Sequence, residues 1–245
     1  MRCAALIIAL WALGPAVFAQ DERTRSLQWS IGFSGSVDRS HRALVKKGSD
    51  SNLDRIIDLR DSVEIPALGF SYGVSARLDP SPRIWVRMDL RMSRLGYASK
   101  PMDAIILDPA DPALGSLGKV EWEWNYHFFA LPVVAGASMG GERFRFEPGV
   151  GVGIDHLRRA EATYELTFAD GRRQRITNKD TVNDYAEWCF SALLELNASW
   201  TPSSRIAIGA GPRASYQLNE LVDAPITAHL YAIGAGFSAR YSLRR

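Results

Sequence analysis

Leu68-Gly69-Phe70-Ser71-Tyr72-Gly73-Val74-Ser75-Ala76-Arg77-Leu78 carries an apolar side chain at every even position and Gly, Ser or Arg at every odd one. A period of two describes an extended strand with one apolar and one polar face. The run matches the roughly 9–11 residues with which a tilted strand crosses a bilayer. A single strand of this kind fits any antiparallel sheet. The fold therefore depends on whether the pattern recurs and on how the copies are joined.

It recurs on both sides. Before it, Leu27, Trp29, Ile31, Phe33 and Val37 alternate with Gln28, Ser30, Gly32, Ser34 and Ser36. After it, Ile84, Val86, Met88, Leu90 and Met92 oppose Trp85, Arg87, Asp89 and Arg91. A fourth strand is read with Trp122, Trp124, Tyr126, Phe128, Ala130 and Val134 outward and Glu121, Glu123, Asn125 and His127 on the other face. The fifth sets Phe144, Phe146, Val150, Val152 and Ile154 against Arg145, Glu147 and three glycines. Three more follow around Trp188–Trp200, Ile206–Tyr216 and Tyr231–Leu243, which makes eight.

The connections sort by parity. Asp79-Pro80-Ser81-Pro82, Met139-Gly140-Gly141-Glu142 and Thr201-Pro202-Ser203-Ser204 are tight turns built from Pro, Gly, Asp and Ser. Between them lie longer links. One is a polar stretch, 39–64, with a helical turn at Asn52–Leu59. Another is a Pro- and Gly-rich loop, 98–120. The third contains a protruding hairpin, Ala162–Phe168 and Arg172–Thr177, turned at Asp170-Gly171. A medium loop, 219–227, precedes the last strand. Short turns on one side and longer loops on the other are what an even-stranded membrane barrel requires. The expected fold is all-β: an eight-stranded antiparallel up-and-down transmembrane β-barrel over 27–245.

Residue size decides which face meets lipid. The interior of an eight-stranded barrel is only wide enough for side chains to fill. The Trp, Phe, Leu and Ile set is too bulky for it, while the Gly, Ser and charged set fits. Two aromatic bands are expected at the strand ends: Trp122, Trp124, Tyr126, Trp188 and Tyr216 on one side, and Trp200, Tyr241, Phe144 and Phe237 on the other. The inward charges are then Arg77, Arg87, Asp89, Arg91, Glu123, Arg145, Glu147, Glu195, Arg213 and Arg240. Buried charges must be paired, so these ten predict an Arg–carboxylate network that plugs the lumen. Pro132, Pro148 and Pro212 fall inside strands in the outward phase, where each removes a ladder donor, and local bulges would absorb them.

The first 19 residues have Arg2, the apolar run Ala4–Leu13 and Val17-Phe18-Ala19, a Sec signal peptide cut after Ala19 and followed by a polar leader, 20–26. Cys189 is then the one remaining thiol, so no internal disulfide forms. Net charge is +2 with no basic run interleaved with aromatics, which argues against nucleic acid. His41, His127, His156 and His229 are scattered without ligand spacing, so no metal or cofactor is expected. Gly149-x-Gly151-x-Gly153 has strand periodicity and no following helix, and is not a nucleotide loop. His127 with Glu123 and Ser191 is the nearest approach to a hydrolase constellation, at no recognised spacing. The expectation is no enzyme.

Phe129-Ala130-Leu131-Pro132-Val133-Val134, a Gly-Gly turn, and Phe146-Glu147-Pro148-Gly149-Val150-Gly151 together resemble the central hairpin of the PorT-like outer-membrane β-barrel family. That family's plan is similar to the small OmpA/OmpX-type barrels. The resemblance implies residence in the outer membrane of a Gram-negative cell, and one family member is linked to protein secretion. The expected role is a structural or surface-interaction scaffold acting through extracellular loops. An accessory of secretion and a lipid-modifying hydrolase are the alternatives. Expected partners are outer-membrane lipid, lipopolysaccharide at the basic hairpin of Arg172, Arg173 and Arg175, and a protein met by the loops.

Overall fold

A computed structural model describes residues 27–108, 111–180 and 185–243. The expected signal peptide and leader, 1–26, lie outside them. Among the described residues eleven strands form one sheet: β1 (Gln28–Lys46), β2 (Glu64–Ser81), β3 (Ile84–Ser99), β4 (Met102–Asp108), β5 (Asp111–Ala137), β6 (Met139–Gly140), β7 (Phe144–Thr167), β8 (Arg173–Asp180), β9 (Trp188–Ser203), β10 (Ile206–Gln217) and β11 (Ile226–Ser242). Eight of them close a ring in the order β1-β2-β3-β5-β7-β9-β10-β11, and β11 pairs back to β1. Every pairing is antiparallel. β4, β6 and β8 are accessory strands hydrogen-bonded to β5 or β7. The short turns gather at one end of the ring. The Leu243 amide donating to the Trp29 carbonyl at 2.8 Å puts both ends of the described chain there too.

Over the lower part of the barrel the outer wall is apolar. Phe33, Leu68, Leu90, Phe144, Val152 and Ile233 are each more than half exposed. Between such residues the inward positions are largely polar or small: Ser34, Ser75, Asp89 and Arg91 are buried. Higher up the polarity reverses. The inward side chains become Tyr97, Tyr126, Phe128, Leu157 and Leu230, which pack together, while Arg39 and Arg158 take the outward positions. A wall that is greasy outside and charged inside becomes one that is polar outside and greasy inside. The first suits lipid and the second suits water. No helix among the described residues is long and apolar enough to cross a membrane.

Three features differ from the sequence reading. First, the described parts of the long links are mostly helix and strand. β1 continues to Lys46, and helix α1 (Ser51–Val63) fills most of the remaining gap. The Asp50 side chain caps the helix by accepting from the Asn52 amide at 2.9 Å. Within the stretch 98–120, β4 (Met102–Asp108) pairs with β5 from Asp111 to Val120 and lengthens the sheet. The 162–177 segment is the expected hairpin, with Thr167 opposite Arg173 and Gly171 at φ +84° in its turn.

Second, β5 sits in the opposite phase. Val133 lies beside outward Met88, and Val134 lies beside inward Arg87. Val134, Phe128 and Tyr126 are buried, while Phe129, Leu131 and Val133 meet the outside. Trp122, Trp124 and Tyr126 are therefore no girdle, because they share the inward phase. Trp188 and Tyr216 do stand outside, as do Trp200, Tyr241, Phe144 and Phe237 at the turn end.

Third, the prolines need no bulges. Between Met88↔Val133 and Arg91↔Ala130 the β3–β5 ladder skips Pro132 with its register unchanged. The β9–β10 ladder skips Pro212 in the same way, between Ala210↔Ala198 and Arg213↔Glu195. Pro148 lies past the last β5–β7 pair, Gly136↔Gly149. Pro132 also faces inward, unlike the other two. The one bulge in the β5–β7 ladder comes where the polarity reverses: His127 pairs Arg159 and Phe128 pairs Leu157, leaving Arg158 extra.

Candidate functional site

The inward positions of the lower barrel hold three linked tiers of charge. Nearest the turns, Arg77 reaches Glu147 at 2.8 Å and Asp79 at 2.7 Å. Arg240 reaches Glu147 from the other side at 3.0 Å and donates to Ser199 Oγ at 2.9 Å. Trp85 fills the space beside them at 1 % exposure, and its indole N–H donates to the Ala137 carbonyl at 3.1 Å. Gly136 and Gly149 make room for that ring, since a Cβ at either would lie 2.5–2.6 Å from its carbons. Of the other glycines in the β7 run, Gly151 is crowded by the Val133 carbonyl and Gly153 by the Ser191 hydroxyl, each within 2.4 Å of where a Cβ would sit.

In the middle tier Arg87 binds Glu195 at 2.5 Å and Asp89 at 3.0 Å. Arg91 binds Asp89 at 2.8 Å and approaches Glu195 at 3.6 Å, and Ser34 Oγ donates to Asp89 at 3.0 Å. Above it, Arg213 lies 3.9 Å from Asp38 and donates to Ser36 and Ser71 hydroxyls at 3.0 and 3.3 Å. Five arginines (Arg77, Arg87, Arg91, Arg213, Arg240) thus face five carboxylates (Asp38, Asp79, Asp89, Glu147, Glu195).

Two of the expected members are elsewhere. Glu123 is in the outward phase of β5, above the apolar belt, and pairs with Arg94 at 2.7 Å. Arg145 points inward, and among the described residues no carboxylate lies within ion-pair distance of it. It lines a 260 Å³ cavity at the turn-end mouth with Arg77, Asp79, Glu142 and Arg240. Asp38 and Asp79 belong to the network and were not anticipated. Asp38 lies one residue past the point where the first strand was read to stop, and continuing the alternation Ser34, Ser36, Asp38, Ser40 would have found it.

Above the top tier is a cavity of about 50 Å³ bordered by Asp38, Arg91, Asp155, Cys189, Ser191 and Gln217. It is roofed by the apolar cluster of Tyr97, Tyr126, Phe128, Leu157, Leu221 and Leu230. On this roof Arg42 pairs with Glu64 and lays its guanidinium over the Tyr97 ring, 3.9 Å from the centroid. Burial pushes the phenols of Tyr97 and Tyr126 well above their usual range. The lumen is closed by salt bridges below and by side-chain packing above.

His127, Glu123 and Ser191 do not converge. His127 is on the outer wall, its Nε2 3.2 Å from Glu161, and burial holds its pKa below the ordinary 6.5. Ser191 is inside, at the cavity. No group of three or more His, Cys, Asp or Glu that could hold a metal occurs among the described residues.

These features define a class: a closed eight-stranded transmembrane barrel with a filled lumen. No family model matches the chain, and no curated protein matches it. Solved structures of small outer-membrane barrels are similar to it. The attachment invasion locus protein Ail of Yersinia pestis shares 10 % identity, with 86 % of this chain and 97 % of that one covered, at a TM-score of 0.30. Neisserial surface protein A shares 10 %, with 88 % and 98 % covered, at 0.37. The outer membrane protein OprG of Pseudomonas aeruginosa shares 9 %, with 89 % and 99 % covered, at 0.35. The assignment to the barrel class rests on the strand pairing of the chain itself.

Proposed function

We propose that the chain is a non-enzymatic outer-membrane protein. In this reading its sealed barrel is a scaffold, and the section standing above the lipid is its working surface. The observation that supports this most is the continuation of β5 and β7 beyond the belt, with β4 and β8 added to their edges and an apolar core behind them. Ordered sheet outside a membrane costs chain entropy to hold, and it presents a rigid face to a partner. The hairpin of β7 and β8 carries Arg172, Arg173 and Arg175, which suit the phosphates of lipopolysaccharide, and a protein partner would meet the same outer section. The test is cross-linking pull-down from membranes with a tagged chain, comparing the full protein with one whose 164–176 segment is replaced by a short turn. A partner lost with the hairpin while the barrel keeps its heat-shifted gel migration supports the scaffold. A partner retained in full moves the contact elsewhere.

The PorT-like resemblance of the β5–β7 hairpin favours a second reading, an accessory of protein secretion. It predicts that exported cargo is retained in a deletion strain. A lipid-modifying activity would show as a changed lipid A mass spectrum that is lost in His127→Ala.

A further inference from the structure

The three short turns share a residue that their geometry does not demand. Two repeat a sequence: Pro80-Ser81-Pro82-Arg83-Ile84 and Pro202-Ser203-Ser204-Arg205-Ile206. In both, the serine hydroxyl accepts from the two amides that follow the bend: Arg83 and Ile84 at 3.4 and 3.1 Å, and Arg205 and Ile206 at 3.4 and 3.2 Å. The third turn is built on glycine, with Gly140 at φ +114°, and it too delivers an arginine, Arg143, just before the outward Phe144. Turn chemistry differs, yet the arginine recurs.

The three arginines also sit at one level. The carbonyls of Arg83, Arg143 and Arg205 accept from the amides of Ser138, Thr201 and Ser242 at 2.8, 2.8 and 2.7 Å, so each turn makes the same bond to the end of the neighbouring strand. Each precedes the first residue of the apolar belt: Ile84, Phe144 or Ile206. All three side chains are exposed, and among the described residues none has a carboxylate within ion-pair distance. At the opposite end the basic residues are mixed: Lys46, Lys47, Arg94, Arg159 and Arg173 each reach one, while Arg55, Lys100 and Lys119 reach none among the described residues. The Arg205 guanidinium is drawn against the outer wall, donating to the Tyr241 hydroxyl at 3.0 Å.

We infer that Arg83, Arg143 and Arg205 form a collar that binds the phosphates of anionic phospholipid headgroups around the turn end of the barrel. This rests on the reading of the chain as a membrane barrel. A guanidinium offers a phosphodiester two parallel donors, and its charge is attracted to an anionic lipid surface. Three such groups spaced around the ring at the edge of the belt would fix both the depth and the tilt of the barrel in that leaflet.

The test is native mass spectrometry of the full protein released from phosphatidylcholine nanodiscs doped with phosphatidylglycerol. Wild type should retain phosphatidylglycerol in preference. R83Q/R143Q/R205Q should lose that preference by roughly tenfold or more, given the attraction of each basic residue near an anionic surface, and should still insert and fold. A charge-matched control at the other end, R55Q/K100Q/K119Q, should keep it. Unchanged retention in the collar variant, or an equal loss in the control, overturns the inference. Failure of wild type to enter any nanodisc would instead sink the membrane reading beneath it.

Discussion

At the residue scale the lumen network makes unequal demands on its members. Glu195 binds Arg87 and approaches Arg91, so Glu195→Ala leaves two buried guanidiniums to share Asp89. Removing one partner of a buried ion pair costs about 3–5 kcal/mol. The expected outcome is a lowered midpoint in guanidinium unfolding of the detergent-folded barrel, followed by tryptophan fluorescence, with Glu195→Gln losing less. Gly149→Ala sets a methyl against Trp85 and is expected to cost about 1–3 kcal/mol, with a change in near-ultraviolet circular dichroism from the displaced indole. The charged residues of β3, β9 and β11 were legible in the sequence because a strict period of two left one choice of face. Glu123 was not, because it was placed by a strand whose phase was misread. Asp38 was missed because a polar run past Val37 looks like a loop when the strand leaves the lipid.

At the element scale, β5 shows why the phase was ambiguous. From Phe128 to Val134 the strand is apolar on both faces: Phe128, Ala130 and Val134 on one, Phe129, Leu131 and Val133 on the other. Periodicity cannot orient such a strand. The aromatic row suggested a lipid girdle, but it is the core of the section that stands in water. Cysteine scanning checks the result. A label on Val133→Cys should be quenched by a lipid-phase quencher, and Val134→Cys should resist labelling.

The same section should also respond to acid. Burial lowers the pKa of His41 and His127 below 6.5, so the unfolded chain takes up their protons first. Their neutral state costs nothing above that value. As pH falls through 6.5 towards the depressed folded values, stability of the outer section is lost. Hydrogen exchange should quicken in β5 and β7 above Phe128 on mild acidification while the belt segments stay protected.

For the whole molecule, matched charges and an apolar roof leave no continuous aqueous path. Planar bilayers containing the purified protein should show no discrete conductance steps, and steps at wild-type charge would mean that the plug opens. The ring closes where the first and last strands meet, and that seam is unbroken: every residue from Ser30 to Lys46 has a partner on β11. The β9–β10 boundary pairs at nine positions against thirteen on β2–β3, and it lacks partners at Gly211 and Pro212. A barrel pulled apart by force should therefore unzip along the meridian between β9 and β10. The stitch that joins the two ends of the chain would be the last to give.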